Sequence, residues 1–236
     1  MLSLLRHFAR GGKVGFECVI FDLDETLYPR QAGLMQEIGR RIERWVQETL
    51  HLAPEEAAAL RQDYLRRYGT TLAGLLAEGK VDADAYLAYV HDIPVERWLR
   101  PNPALARMLD TIPLRKVVFT NATAEHARRV LKALGVADRF EDVIGIREVG
   151  LRSKPHPASY RAVLDRLGVP GAACILVDDR PINLRSAKGL GMTTVLVDGA
   201  PEEGVDFVVK DVLEVGPLVA RLLEGNPGKR GRPPRG

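Results

Sequence analysis

The chain has 236 residues, 46% of them hydrophobic and 28% charged. That is enough for one sizeable core with or without a smaller inserted unit, and no apolar run approaches the ~20 residues of a membrane span. Two cysteines exclude a disulfide scaffold. The net charge of +3 is concentrated in the tail by Lys229, Arg230, Arg232 and Arg235, so the rest of the chain makes no electrostatic case for nucleic-acid binding.

The opening MLSLLRHFARGGKVGF is too short in its apolar part for a secretory signal, and Arg6 and His7 interrupt it. It reads as an exposed or capping helix ending near Gly11-Gly12, with an organelle transit peptide as the alternative. Cys18-Val19-Ile20-Phe21 then reads as a strand buried on both faces. Leu34, Ile38, Ile42, Trp45 and Leu50 recur at helical spacing, which predicts a helix over 31–52. Further helices are predicted from Pro54 to Tyr68, over 72–79 and over 82–91. No strand is predicted between Pro29 and Arg100, so 29–100 forms a helical insert.

After Pro101-Asn102-Pro103 the rhythm becomes α/β. Helices are predicted over 103–110, 123–134, 157–167, 181–190 and 211–223. Strands are predicted over 116–120, 143–146, 174–177, 194–197 and 207–209. Alternation of this kind implies a Rossmann-like parallel sheet with helices on both faces. The core is expected in 14–28 and 101–224, and 225–236 reads as a disordered basic tail. Both cysteines lie in apolar runs, each four residues before an Asp, at Asp22 and Asp178. Parallel neighbouring strands would place the two thiols side by side, reduced and unbridged, as in a cytoplasmic protein.

The chemistry is expected where these strands end. Asp22 and Asp24 follow the first strand, and Asp178-Asp179 follow CILV. Carboxylates at the ends of buried strands are costly unless paired, and a bound cation answers the cost. Mg²⁺ prefers such oxygen ligands. Thr120-Asn121 follows KVVF, where a hydroxyl and backbone N–H groups can hold a phosphate oxygen, or simply cap a helix. Lys154 lies in SKPHP, where the prolines disfavour helix and leave the side chain either in solvent or directed into a cleft. Asn183 is expected to tie the Asp178 loop to the following helix.

The ordered series Asp-x-Asp, Thr-Asn, Lys-Pro, Asp-Asp resembles the four motifs of the haloacid dehalogenase-like (HAD-like) superfamily of phosphatases over about residues 15–220. The resemblance implies the HAD-like fold, with the insert as a C1-type cap. It implies that Asp22 attacks phosphorus and that Asp24 serves as general acid and then base. It further implies Mg²⁺ held by Asp22, the Asp24 backbone carbonyl, Asp178 and Asp179, and a phosphoryl group held by Thr120, Asn121 and Lys154. An acid at Asp24 argues against the dehalogenase and ion-pump branches. Hydrolases and phosphosugar mutases remain.

DLDETLYP, YGTTLAGL, YLAYVH and PNP leading to VVFTNA look like the pyrimidine 5′-nucleotidase-like subgroup. That resemblance implies release of phosphate from UMP and CMP. Another small phosphomonoester is the alternative. The implied partner is a small phosphorylated metabolite, handled by a monomer or homodimer without a membrane. Tyr68, Thr70, Thr71, Tyr89 and His91 are the candidate substrate contacts in the insert. The tail segment Arg-Gly-Arg-Pro resembles an AT-hook, which offers a second class of function, binding to A·T-rich DNA.

Overall fold

The structure, a computed structural model, describes residues 15–225. The expected N-terminal helix, the Arg-Gly-Arg-Pro segment and nearly all of the basic tail lie outside these residues.

Six strands form one parallel sheet: β1 (Cys18–Phe21), β2 (Arg115–Phe119), β3 (Asp142–Ile144), β4 (Cys174–Asp178), β5 (Thr193–Val197) and β6 (Phe207–Val209). Their order is β3-β2-β1-β4-β5-β6. The chain moves outward from β1 to β3 and then crosses back to β4, so the order reverses between β1 and β4. In open parallel sheets that switch point, at the carboxyl ends of the strands, is where ligands collect.

The insert between β1 and β2 carries α1 (Leu34–Leu50), α2 (Pro54–Tyr68), α3 (Thr71–Ala77) and α4 (Ala83–His91). The core helices are α5 (Pro103–Asp110), α6 (Ala124–Leu134), α7 (Pro157–Leu167), α8 (Pro181–Lys188) and α9 (Val215–Leu223). Alternate residues of each strand point to opposite faces. Val19 and Phe21 pack with Leu105, Val130 and Val219 of α5, α6 and α9. Cys18 and Ile20 pack with Val163 of α7, Leu184 of α8 and, in the insert, Trp45, Tyr64 and Tyr86. The second cluster therefore runs from the sheet into the insert without interruption. Cys18 pairs in register with Cys174 on the neighbouring strand, and both are buried free thiols.

Several boundaries differ from expectation by a few residues, and three of the differences have a clear physical reason. The first helix begins at Leu34 rather than 31, because Arg30–Ala32 form a separate 3₁₀ turn after the extended Pro29. The third strand ends at Ile144 rather than 146, since the Ile146 N–H turns to Ala122 O. The last helix begins at Val215 rather than 211, which leaves Pro217 in its first turn, where a missing N–H costs nothing.

Candidate active site

β1 delivers Asp22 and β4 delivers Asp178 to the switch point. The Asp22 N–H donates to Val177 O at 2.8 Å, which fixes the two strand ends against each other. Both carboxylates are buried. One oxygen from each of Asp22, Asp178 and Asp179 comes within 4.8 Å of the others. Among them lies Lys154, 1% exposed. Its Nζ donates to Asp22 Oδ1 at 2.6 Å, Asp178 Oδ2 at 2.8 Å and Phe119 O at 3.0 Å. All three ammonium donors are thus used, which is why this loop lysine is inside rather than in solvent.

The surrounding side chains hold this arrangement in place. The Asn121 Oδ1 accepts from the Lys154 N–H at 2.7 Å, and Asn121 Nδ2 donates to Lys154 O at 3.1 Å. Asn183 Nδ2 donates to both Asp178 oxygens, at 2.9 and 3.0 Å. Thr26 Oγ1 donates to Asp22 Oδ2 at 3.3 Å. The Thr120 hydroxyl accepts from the Ala122 N–H at 3.0 Å and tightens the turn after β2. The Asp24 carboxylate stays apart from the cluster and accepts from the Tyr28 hydroxyl at 2.6 Å.

Three acids and one ammonium share a buried space, and the carboxyl groups register it. Burial pushes Asp22 upward, and repulsion from Asp178 and Asp24 adds to this against the pull of Lys154. Burial and Asp178 push Asp179 up to about 7. Burial also works against the Lys154 charge, but Asp178 and Asp22 outweigh it and hold the ammonium above its ordinary range. Burial raises Asp24 to about 6, against the Tyr28 hydrogen bond. An under-neutralised set of carboxylate oxygens is the donor chemistry that suits a hard divalent cation such as Mg²⁺.

A family model for haloacid dehalogenase-like hydrolases matches residues 16–191. The chain belongs to that family. The phosphoglycolate phosphatase of Rhodospirillum rubrum is 31% identical over 201 residues, covering 77% of this chain and 79% of that protein. Phosphate metabolism protein 8 of Saccharomyces cerevisiae is 27% identical over 208 residues, covering 81% of this chain and 65% of the yeast protein. The crystal structure of a HAD phosphatase from Thermococcus onnurineus superposes with a TM-score of 0.60 at 20% identity, covering 89% of this chain and 99% of that one. That last likeness is one of fold.

In this HAD-like chain, the residues expected after the strands all gather at the ends of β1, β2 and β4. The insert residues divide. A cleft of about 190 Å³ opens between insert and core, and Thr70, Thr71 and His91 line it together with Asp24 and Asn121. Thr70 is already committed: its hydroxyl accepts from Ala73 N–H as the cap of α3 and donates to Ser153 Oγ at 3.3 Å. His91 is buried and stacks on His126 with ring centroids 4.5 Å apart. Tyr68 is not among the residues lining this cleft; its ring lies against Arg67 and Tyr64 on the insert's own surface. Tyr89 also lies outside the cleft, with Arg41 over its ring. Tyr86, by contrast, both packs edge-on against Trp45 and lines the cleft. Sequence reasoning missed Tyr28, whose spacing of four from Asp24 was the available signal, and Arg61 and Ser153, which carried none.

Proposed function

We propose that the protein is a Mg²⁺-dependent phosphomonoester hydrolase that works through an aspartyl-phosphate on Asp22, with the helical insert as its cap. The observation that carries this reading is the buried ammonium of Lys154 joined to both Asp22 and Asp178. An anionic nucleophile can approach an anionic phosphate only where positive charge is fixed beforehand.

Asp22, Asp178, Asp179 and the Asp24 carbonyl would hold Mg²⁺. When bound, the ion supplies further positive charge beside the phosphoryl oxygens. Thr120 and the backbone at Asn121 bind the non-bridging oxygens, and Lys154, held by Asp22, Asp178 and Phe119 O, supplies fixed positive charge beside them. An Asp22 oxygen attacks phosphorus, the bond to the ester oxygen breaks, and Asp24 gives its proton to the departing alkoxide. Asp24 then takes a proton from the water that attacks the aspartyl-phosphate, which returns Asp22 and releases inorganic phosphate. A carboxyl group raised to about 6 is suited to both halves of that exchange near neutral pH. A haloacid dehalogenase has no leaving alkoxide to protonate, so the part-buried Asp24–Tyr28 pair favours the phosphatase.

For the substrate, we propose a pyrimidine nucleoside 5′-monophosphate, UMP or CMP. The cleft next to Asp24 is walled by Met35, Ile42, Tyr86, Leu87 and Val90. Such walls suit a flat apolar ring better than the hydrophilic two-carbon acid of phosphoglycolate. At about 190 Å³ the space is below that of drug-sized ligand sites, which favours one ring over two. The relatives support phosphoglycolate as the second reading. The test is phosphate release with Mg²⁺ from a panel of mononucleotides, sugar phosphates and phosphoglycolate, wild type beside Asp22→Asn. The nucleotidase reading requires UMP and CMP to lead and the substitution to abolish release. Phosphoglycolate ahead of both would replace the substrate and keep the mechanism.

A further inference from the structure

The core side of the cleft supplies Asp24, Asn121, Ser153 and Arg180, whereas the insert side is largely apolar and brings one permanently charged side chain to it. Arg61 of α2 lines it from the insert side. The guanidinium is anchored, since Nη1 donates to Glu43 Oε1 at 2.5 Å. It also lies against the backbone of α1, where a Cβ at position 39 would come within 3.0 Å of Nη2; Gly39 leaves that space open. Its Nε is buried without any hydrogen-bond partner. Among the described residues Glu43 is the one side chain that holds this group. A guanidinium offers five donors in a fixed fork, and in this one Nη1 alone has a hydrogen-bond partner among the described residues.

We infer that Arg61 is the specificity-determining residue of the cleft and donates to the 2-carbonyl oxygen of a pyrimidine ring held among Ile42, Tyr86 and Leu87. This rests on the nucleotidase reading and adds to it the group that is read. The pairing with Glu43 selects the kind of acceptor. An Arg already matched by a carboxylate forms a nearly neutral unit, so a second carboxylate would meet the charge of Glu43 across the same fork. A neutral carbonyl meets no such repulsion. Uracil and cytosine share the 2-carbonyl, and adenine has no carbonyl at all. One donor group therefore accounts for acceptance of both pyrimidines and refusal of AMP, because a site built to hydrogen-bond a substrate group discriminates strongly against its absence.

The experiment compares kcat/KM for UMP, for a UMP analogue lacking the 2-carbonyl oxygen, and for ribose 5-phosphate, in wild type and Arg61→Gln. In wild type the analogue is expected to fall about 10- to 100-fold below UMP. Arg61→Gln is expected to lower UMP to the level of the analogue and to leave ribose 5-phosphate within about twofold. The comparison of UMP with its analogue needs only the wild-type protein, so the inference stays exposed even if the variant does not fold. Equal rates on UMP and analogue in wild type overturn it, as does an Arg61→Gln loss spread evenly over all three substrates. If wild type hydrolyses ribose 5-phosphate and not UMP, the nucleotidase reading itself has failed, a result separate from those two.

Discussion

Asn121 grips Lys154 with both ends of its side-chain amide, accepting from the lysine's N–H and donating to its carbonyl. The two residues come from different loops, after β2 and before α7, so this contact joins the two segments proposed above to bind phosphate. It also means that the Asn121 side chain is occupied, leaving its backbone for substrate. Asn121→Ala removes both bonds and leaves a partly buried N–H and C=O to find other partners, at about 1–3 kcal/mol. The expected result is a kcat roughly 10- to 100-fold lower from a misplaced Lys154, with the urea midpoint reduced in parallel. A variant with unchanged kcat would mean that the grip does not position the lysine.

Lys154 is the sole cation bonded to Asp22 and Asp178 among the described residues. Lys154→Ala leaves two buried carboxylates facing each other, and breaking a buried pair in this way costs about 3–5 kcal/mol. The loss should be largest in EDTA. Added Mg²⁺ should recover part of it, since a ligand at 100 times its Kd stabilises the folded state by about 2.7 kcal/mol. Urea unfolding of wild type and variant, each with and without Mg²⁺, measures this directly. Equal Mg²⁺ effects on wild type and Asp178→Asn would remove the acid cluster as the ion's site.

The sheet and the strand-end acids were legible because both leave marks along the chain. Apolar runs that stop at Asp22 and Asp178 report burial and its abrupt end, and a spacing of four placed Cys18 beside Cys174. Lys154 was readable only through its motif, since nothing local distinguishes a lysine that enters a cleft from one in solvent. Tyr68 and Arg61 were not separable at all. Both lie on α2, seven residues apart, and which of them meets the cleft depends on how the insert docks on the sheet. Docking depends on contacts distant in sequence, such as Thr70 with Ser153.

His91 ends α4 and His126 lies in the first turn of α6, so their stack spans the joint between insert and core. Burial lowers the His91 pKa to about 4 and that of His126 to about 3, with Arg129 disfavouring both charged forms. The folded protein thus resists protons that the unfolded chain binds below its ordinary value of about 6.5. Stability is therefore full above pH 6.5 and falls as pH drops toward 4 for His91 and 3 for His126, by up to about 1.4 kcal/mol per pH unit for each. His126→Phe keeps a ring in the stack and removes two buried nitrogens that have no partner. Between pH 7.5 and 5 its urea midpoint should fall clearly less than that of wild type. An identical fall would place the acid sensitivity elsewhere.

Gly69 closes α2 at φ +82° and turns the insert onto the Lys154 loop. A Cβ there would lie 2.9 Å from Pro155 Cδ, against a proline ring that cannot swing aside. Gly69→Ala thus adds a left-handed alanine, worth about 1 kcal/mol, to a wedge between insert and loop. Thr70 follows directly and bonds to Ser153, so the wedge also strains that contact. The proposed catalytic acids, Asp22 and Asp24, are untouched. The expected signature is a KM raised several-fold with a smaller change in kcat, because substrate must close the insert over a widened joint. Gly79, also at positive φ but with open space around its missing Cβ, is the control. Gly79→Ala should show the conformational cost on stability and leave KM alone. A KM effect of equal size in both variants would mean that backbone strain, rather than the contact with Pro155, governs closure.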